Sequence, residues 1–179
     1  MRRLVLVLKI PAKFSRHQLA AWREPCRIGD LSLGQGVWAV PDVPVFADGT
    51  ARALAPTDKA GGQALTPDAT GHGPEYAAHF RTLFTAARSA GRTEFRAACG
   101  EFEDEIAKKV RLGAFTLAEL DEEERSLERL RRRHRDLTAW DVSGAPEAAE
   151  AAVRLKTCAA LCEDHAGRVV AVLHEGGDR

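Results

Sequence analysis

The chain of 179 residues predicts an α+β protein, a small strand-containing unit followed by a helical region. Three observations carry this. An aliphatic, β-branched run from Leu4 to Ile10 opens the chain and stops at Pro11. The stretch LGQGVWAVPD, Leu33 to Asp42, has the composition of a hairpin. Beyond Glu75, apolar residues recur at helical spacing almost to the end.

The elements follow in order. Leu4 to Ile10 reads as a buried strand. As a secretory leader it fails, because the apolar run Leu4 to Leu8 is broken by Lys9, and a leader core needs roughly 7–15 apolar residues. A cytoplasmic protein is expected. FSRHQLAAWREPC reads as a helix, with Ser15 and Gln18 at capping-box spacing and Leu19, Trp22 and Cys26 on one face. Pro25 predicts an early end. Leu31 to Leu33 and Gly36 to Val40 pair across a Gly34-Gln35 loop, glycine first, as in a type II′ turn. Trp38 and Val40 then share the sheet face that a helix covers, and Val37 and Ala39 the other.

Between Val45 and Glu75 the pattern weakens under many glycines and prolines, and TPDATGHGPE reads as a linker. A short helix near Thr50 to Leu54 and a strand near Gln63 to Thr66 are expected there. The helical region starts with an apolar face of Tyr76, Phe80, Leu83, Phe84 and Ala87, and a turn is expected at Ala90-Gly91. Phe95, Cys99, Phe102, Ile106 and Val110 mark the next helix, which stops near Gly113. Thr116 and Glu119 have capping-box spacing, and Leu117, Leu120, Leu127, Leu130, His134 and Leu137 mark a long buried face. Gly144 breaks the chain, Pro146 suits a first helical position, and a last helix runs through Val153, Cys158 and Leu161 toward Leu173. The last two helices are expected to pair as a long antiparallel hairpin. The expected division is a strand-containing unit over 1–70 and a helical region over 75–179.

The 26 basic and 26 acidic residues balance, so bulk charge does not make the molecule a nucleic-acid binder. A local patch would have to do so. The first 28 residues hold seven cations, Arg2, Arg3, Lys9, Lys13, Arg16, Arg23 and Arg27, against Glu24 alone. Guanidinium groups match oxyanions with paired hydrogen bonds, so this bias points to a phosphate or another oxyanion. A solvated surface balanced elsewhere is the plainer reading. The same choice applies to Arg131, Arg132, Arg133 and Arg135, which follow an acidic run in the order that suits the helix dipole.

Cys158, Cys162 and His165 fall at i, i+4 and i+7, so one helical face carries two thiols and an imidazole. That set would hold a metal if a fourth ligand came from elsewhere, His72, His79 or His134 being available. Two small core-facing cysteines with a polar end are the plainer reading. The four cysteines form no CxxC pair, and no phosphate-cradling glycine loop, GxSxG or HExxH is present. Asp42 and the run Glu101, Glu103, Asp104, Glu105 are the remaining acid–base candidates. The residues alone do not argue for an enzyme, and no cofactor is indicated.

Three stretches together resemble the amino-terminal domain of the chromate-resistance regulator ChrB. They are LVLVLKIPAKFSRHQLAAWREPCRIGDLSLGQGVWAVPD, EFRAACGEFEDEIAKKVRLGAFTLAELDEEERSLERLRRRH and GAPEAAEAAVRLKTCAALCE. The first half is also similar to the middle domain of PaaX-type repressors. The resemblance implies a small ferredoxin-like βαββαβ unit, whose second helix glycine and proline interrupt here, and then the helical region. It implies a cytoplasmic protein tied to chromate sensing or transcriptional control, with DNA, chromate or another oxyanion as partner. Lys9, Lys13, Arg16, Arg23, Arg27 and Trp38 are the candidate contacts. The alternatives are a domain reused as an auxiliary enzyme, with or without a metal, and an interaction module pairing its hairpin with another chain or with a second copy as a homodimer.

Overall fold

The computed structural model describes residues 3–10, 16–27, 29–69, 73–141 and 147–177. Ser15, Lys13, His72, Gly144 and Pro146 lie outside them. The chain forms two compact units, Met1–Ala87 and Arg88–Arg179.

The first unit runs β1 (Arg3–Lys9), α1 (Arg16–Arg27), β2 (Leu31–Gly34), β3 (Val37–Pro41), α2 (Pro44–Lys59), β4 (Gln63–Leu65) and β5 (Asp68–Ala69). Its antiparallel sheet has the order β2-β3-β1-β4, with β5 also on β1. Leu6 faces Trp38 and Leu4 faces Val40 in the ladder, so alternate residues of both strands share one face. Leu6, Leu8, Trp38 and Val40 are buried there. α1 and α2 pack closely on each other, contributing Ala21, Phe46 and Ala53 to the core. The indoles of Trp22 and Trp38 meet edge to face, 5.2 Å between centroids, which is the expected cover of a helix over Trp38.

Four local expectations change. α1 continues through Pro25 to Arg27, because a proline this near a helix end removes only one hydrogen bond. The Asp30 N–H then donates to the Pro25 carbonyl at 3.0 Å and closes the turn. The hairpin loop is Gln35-Gly36, one residue later than expected, with φ of 49° and 82°. Positive φ at both central residues is the type I′ arrangement, whose twist suits the strands. A bulge between Ser32 and Gly34 absorbs the shift.

α2 is a full 16-residue helix where only a short one was expected. Pro44 stands at its first turn, where no N–H is missed. Phe46, Thr50, Ala53 and Thr57 form its buried stripe, and Gly49 is buried beside it. The Thr50 and Thr57 hydroxyls donate to the Phe46 and Ala53 carbonyls, so neither is left unpaired in the core. The start of the expected linker is strand: Val7 pairs with Leu65 and Leu4 with Asp68 in one unbroken register. Between them the Val5 N–H reaches the Pro67 carbonyl at 3.0 Å. β4 and β5 are thus one edge strand interrupted at a proline that cannot donate.

Gly36 is fixed twice. Its φ is +82°, and a Cβ there would run into the Leu8 carbonyl oxygen; the Leu8 N–H donates to the Gly36 carbonyl at 2.7 Å. Gly36→Ala is expected to cost about 1–3 kcal/mol, readable as a drop in urea midpoint with an unchanged m-value.

The second unit is built from α3 (Pro74–Leu112, which starts in the first), α4 (Leu117–Ala139) and α5 (Ala148–Gly177). No turn forms at Ala90-Gly91. Gly91 stays helical, and a Cβ on it would lie 3.1 Å from Leu137 Cδ2, so the glycine serves close helix packing. Gly91 near Leu137 and Lys109 near Glu119 make α3 and α4 antiparallel. Arg96 with Glu150 and Ala114 with His165 run α5 parallel to α3, so α4 and α5 are the expected antiparallel pair. α3 ends with Gly113 at φ 66° and the Ala114 N–H on the Lys109 carbonyl, a Schellman closure. Thr116 caps α4 by accepting from the Glu119 N–H. The core holds Phe95, Cys99, Phe102, Ile106, Leu127, Leu130, Leu137, Cys158, Cys162 and Val169, whereas Leu117, Val153 and Leu173 are exposed.

Candidate functional site

The amino-terminal basic residues fall on β1 and α1. Lys9 ends β1, exposed; Arg16 opens α1, and Arg23 stands two turns on, both exposed. Seven residues make almost two full turns, so Arg16 and Arg23 share a helix face, their Cα atoms roughly 10 Å apart along the axis. Among the described residues none of the three makes an ion pair. Of Arg27 only the backbone is described, in the last turn of α1, and Lys13 lies outside the described residues. Trp38 is 1% exposed and fills the core. The tryptophan that reaches the surface is Trp22, 39% exposed beside Arg23, with Leu19 as open. Leu19 and Trp22 of the expected apolar face of α1 are therefore partly open to solvent, and a flat aromatic stands next to Arg23.

The arginines of α4 differ in their surroundings. Arg133 reaches Glu94 at 3.4 Å, Arg135 reaches Glu128 at 3.0 Å, and Arg131 lies 4.0 Å from Glu128. These three have glutamates of the same unit within reach in exposed pairs, whereas Arg129 and Arg132 make no ion pair among the described residues.

Cys158, Cys162 and His165 share the buried face of α5 as expected. They do not come together around a point: among the described residues no group of three His, Cys, Asp or Glu side chains is placed to hold a metal ion. The Cys158 thiol turns to the Cys99 carbonyl at 3.7 Å and to Glu103 at 3.8 Å. Burial, then the neighbouring Cys99 and Glu103, push it up to about 12. Burial, then Glu124 and Glu123, raises Cys162. Neutral thiols are poor ligands and poor nucleophiles. His165 lies 3.3 Å from the Ala114 carbonyl through Nε2, which therefore carries the proton, and its Nδ1 is buried without a partner.

The densest charge cluster escaped the sequence reading. Lys109 of α3, 5% exposed, meets Glu119 at 2.6 Å, Glu122 at 3.1 Å and Glu123 at 2.6 Å. Glu123 is itself 2% exposed. The signal was present: Glu123 stands between Leu120 and Leu127 at the position where the apolar stripe of α4 calls for a core residue.

No helix of the described residues is long and apolar enough to cross a membrane. No curated protein and no solved structure matches the chain. The family described as "Protein ChrB, N-terminal" matches residues 18–176. That span takes in α1 from its third residue, the hairpin, α2, α3, α4 and all but the last residue of α5, so it is nearly the whole chain that belongs to the ChrB amino-terminal family.

Proposed function

We propose that this chain is a ChrB-like regulatory protein of the cytoplasm, linked to chromate resistance and transcriptional control. The exposed basic face of α1 makes its contact with DNA phosphates, with an oxyanion such as chromate, or with both in turn. Family membership supplies the context. The observation that carries the site is the contrast in pairing. Lys9, Arg16 and Arg23 are exposed and without ion pairs among the described residues, while three of the α4 arginines, Arg131, Arg133 and Arg135, though not Arg129 or Arg132, each face a glutamate. Unspent guanidinium groups are what a multivalent anion recruits. Residues 1–70 act as a ferredoxin-like contact unit, a reading supported by the element order β1-α1-β2-β3-α2-β4 and the sheet order β2-β3-β1-β4. Residues 75–179 are the helical region. The metal-dependent enzyme is the weaker reading, since burial keeps the Cys158 and Cys162 thiols neutral.

The test is fluorescence anisotropy with the protein's own upstream DNA at several salt concentrations, with and without chromate. Each phosphate contact adds about 0.9 to the slope of log affinity against log salt. Arg23→Ala is expected to weaken binding and lower that slope by about one contact's worth. Affinity and slope both unchanged in Arg16→Ala and Arg23→Ala would remove α1 from the interface.

A further inference from the structure

Between α3 and α4 runs an open groove of about 410 Å³. Its floor is apolar, made of Ala98, Phe102 and Leu130. Its exposed wall charges are opposite, Glu123 on the α4 side being buried against Lys109. Glu101 and Glu105 stand one turn apart on the α3 side; Arg129 and Arg133 stand one turn apart on the α4 side. These charges are weakly committed within the chain. Glu101 and Arg129 make no ion pair among the described residues, and Arg129 only donates to the Ser126 hydroxyl. Glu105 pairs with Lys108 at 3.2 Å and Arg133 with Glu94 at 3.4 Å, all four side chains well exposed. Exposed pairs of this kind are worth roughly 0–1 kcal/mol and exchange partners readily.

A groove with one acidic and one basic wall is complementary to its own copy. A two-fold axis parallel to the helices lays α3 of one copy over α4 of the other. The acidic wall of each then faces the basic wall of its mate, twice over, as an isologous contact requires. The levels agree. Gly91 lies beside Leu137 and Glu94 beside Arg133, which sets Arg129 near the level of Ala98. Glu101 of the opposite copy is then a few residues away along the axis, on the order of 5 Å at 1.5 Å per residue, a gap that an arginine spans. The other two-fold, across the groove, sets glutamates on glutamates and is disfavoured.

We propose that this groove is a homodimer interface whose occupant is the same groove of a second copy, with Glu101 meeting Arg129 of the mate and Glu105 and Arg133 adding to the charge of the two walls. The proposal stands apart from the nucleic-acid reading, because the residues lie on α3 and α4 and the readout is mass.

The test is sedimentation velocity on the full chain over a concentration series at low and moderate salt. The wild type is expected to dimerise, less so as salt rises. Glu101→Arg with Glu105→Arg gives a chain with two basic walls, and Arg129→Glu with Arg133→Glu gives one with two acidic walls. Each alone is expected to dimerise at least about tenfold more weakly, from like charges brought together. Mixed in equal amounts, the two variants are expected to recover a dimer, since basic walls meet acidic ones. A wild type monomeric at every concentration overturns the proposal. So does a dimer indifferent to both reversals, or a mixture that stays monomeric. Circular dichroism checks that the variants fold. Glutamine at the same four positions, which removes charge without repulsion, decides the matter if a reversed chain does not.

Discussion

Lys109→Met is expected to destabilise the second unit by about 3–5 kcal/mol, the usual cost of stripping one partner from a buried ion pair. The reason is Glu123, which keeps its carboxylate 2% exposed with its cation gone. Glu119 and Glu122, more open to water, can rehydrate. Adding Glu123→Leu should restore part of the loss, because replacing a buried pair by apolar side chains is often neutral. Thermal melts of the single and double variants check this. A double variant no better than Lys109→Met would mean that Glu119 and Glu122 hold the cluster together.

The pH dependence follows from the same cluster. The hydrogen bond and charge of Lys109 hold the Glu119 carboxyl below the usual carboxylate range. That contribution is present above the unfolded value, about 4.3, and is lost as pH falls through the lowered folded one. Burial pulls Lys109 down, but its hydrogen bonds with Glu119, Glu123 and Glu122 outweigh burial and raise it. Its contribution is therefore whole below the unfolded lysine value, about 10.4, and is lost as pH rises from there through the raised folded one. Stability should stay flat from neutral pH to about 10 as far as this cluster decides. It should decline below about pH 4, and Lys109→Met should flatten that acid decline.

Trp38→Ala is the second large effect, expected at about 3–5 kcal/mol. The indole is 1% exposed between the sheet and α1, with Trp22 edge-on against it. Removing it leaves a cavity that a sheet and a helix cannot close. Trp38→Phe should cost far less. The Trp38 Nε1–H is buried with no hydrogen-bond partner among the described residues, so losing that donor forfeits no bond and relieves a desolvated polar group. If Phe proved as costly as Ala, the indole N–H would have to bind something in solution. Denaturant titrations followed by circular dichroism separate the two, since fluorescence changes with the tryptophan itself.

The parts of this fold legible in the sequence are those where one strong local rule acts alone. β1 is an uninterrupted aliphatic run, and Thr116 caps α4 as its spacing foretold. Where a residue has two uses, local reading chose the wrong one. Gly91 looks like a turn and is a gap for Leu137. Pro56 and Gly49 look like breakers, yet α2 holds both, because Phe46, Ala53 and Thr57 have a core to fill. Gly34 has a positive φ of 93°, but the turn centres on Gln35-Gly36, a register set by pairing with β1. For the candidate site, the arginines were visible as a charge bias. Their lack of acidic neighbours was not, because whether an arginine has a glutamate beside it depends on partners such as Glu94, 39 positions from Arg133.

α3 spans 39 residues and begins in one compact unit while ending in the other. Dividing the protein at the unit boundary therefore means sawing through a helix in mid-run. The first piece would end in a stump with up to four unpaired carbonyls, the second would start with as many unpaired N–H groups, and neither cut end has a cap encoded in its sequence. Gene truncations intended to isolate either half should be placed at Gly73, just before α3 begins, since a cut at Gly113 would take Phe95, Cys99, Phe102 and Ile106 away from the core of the second unit.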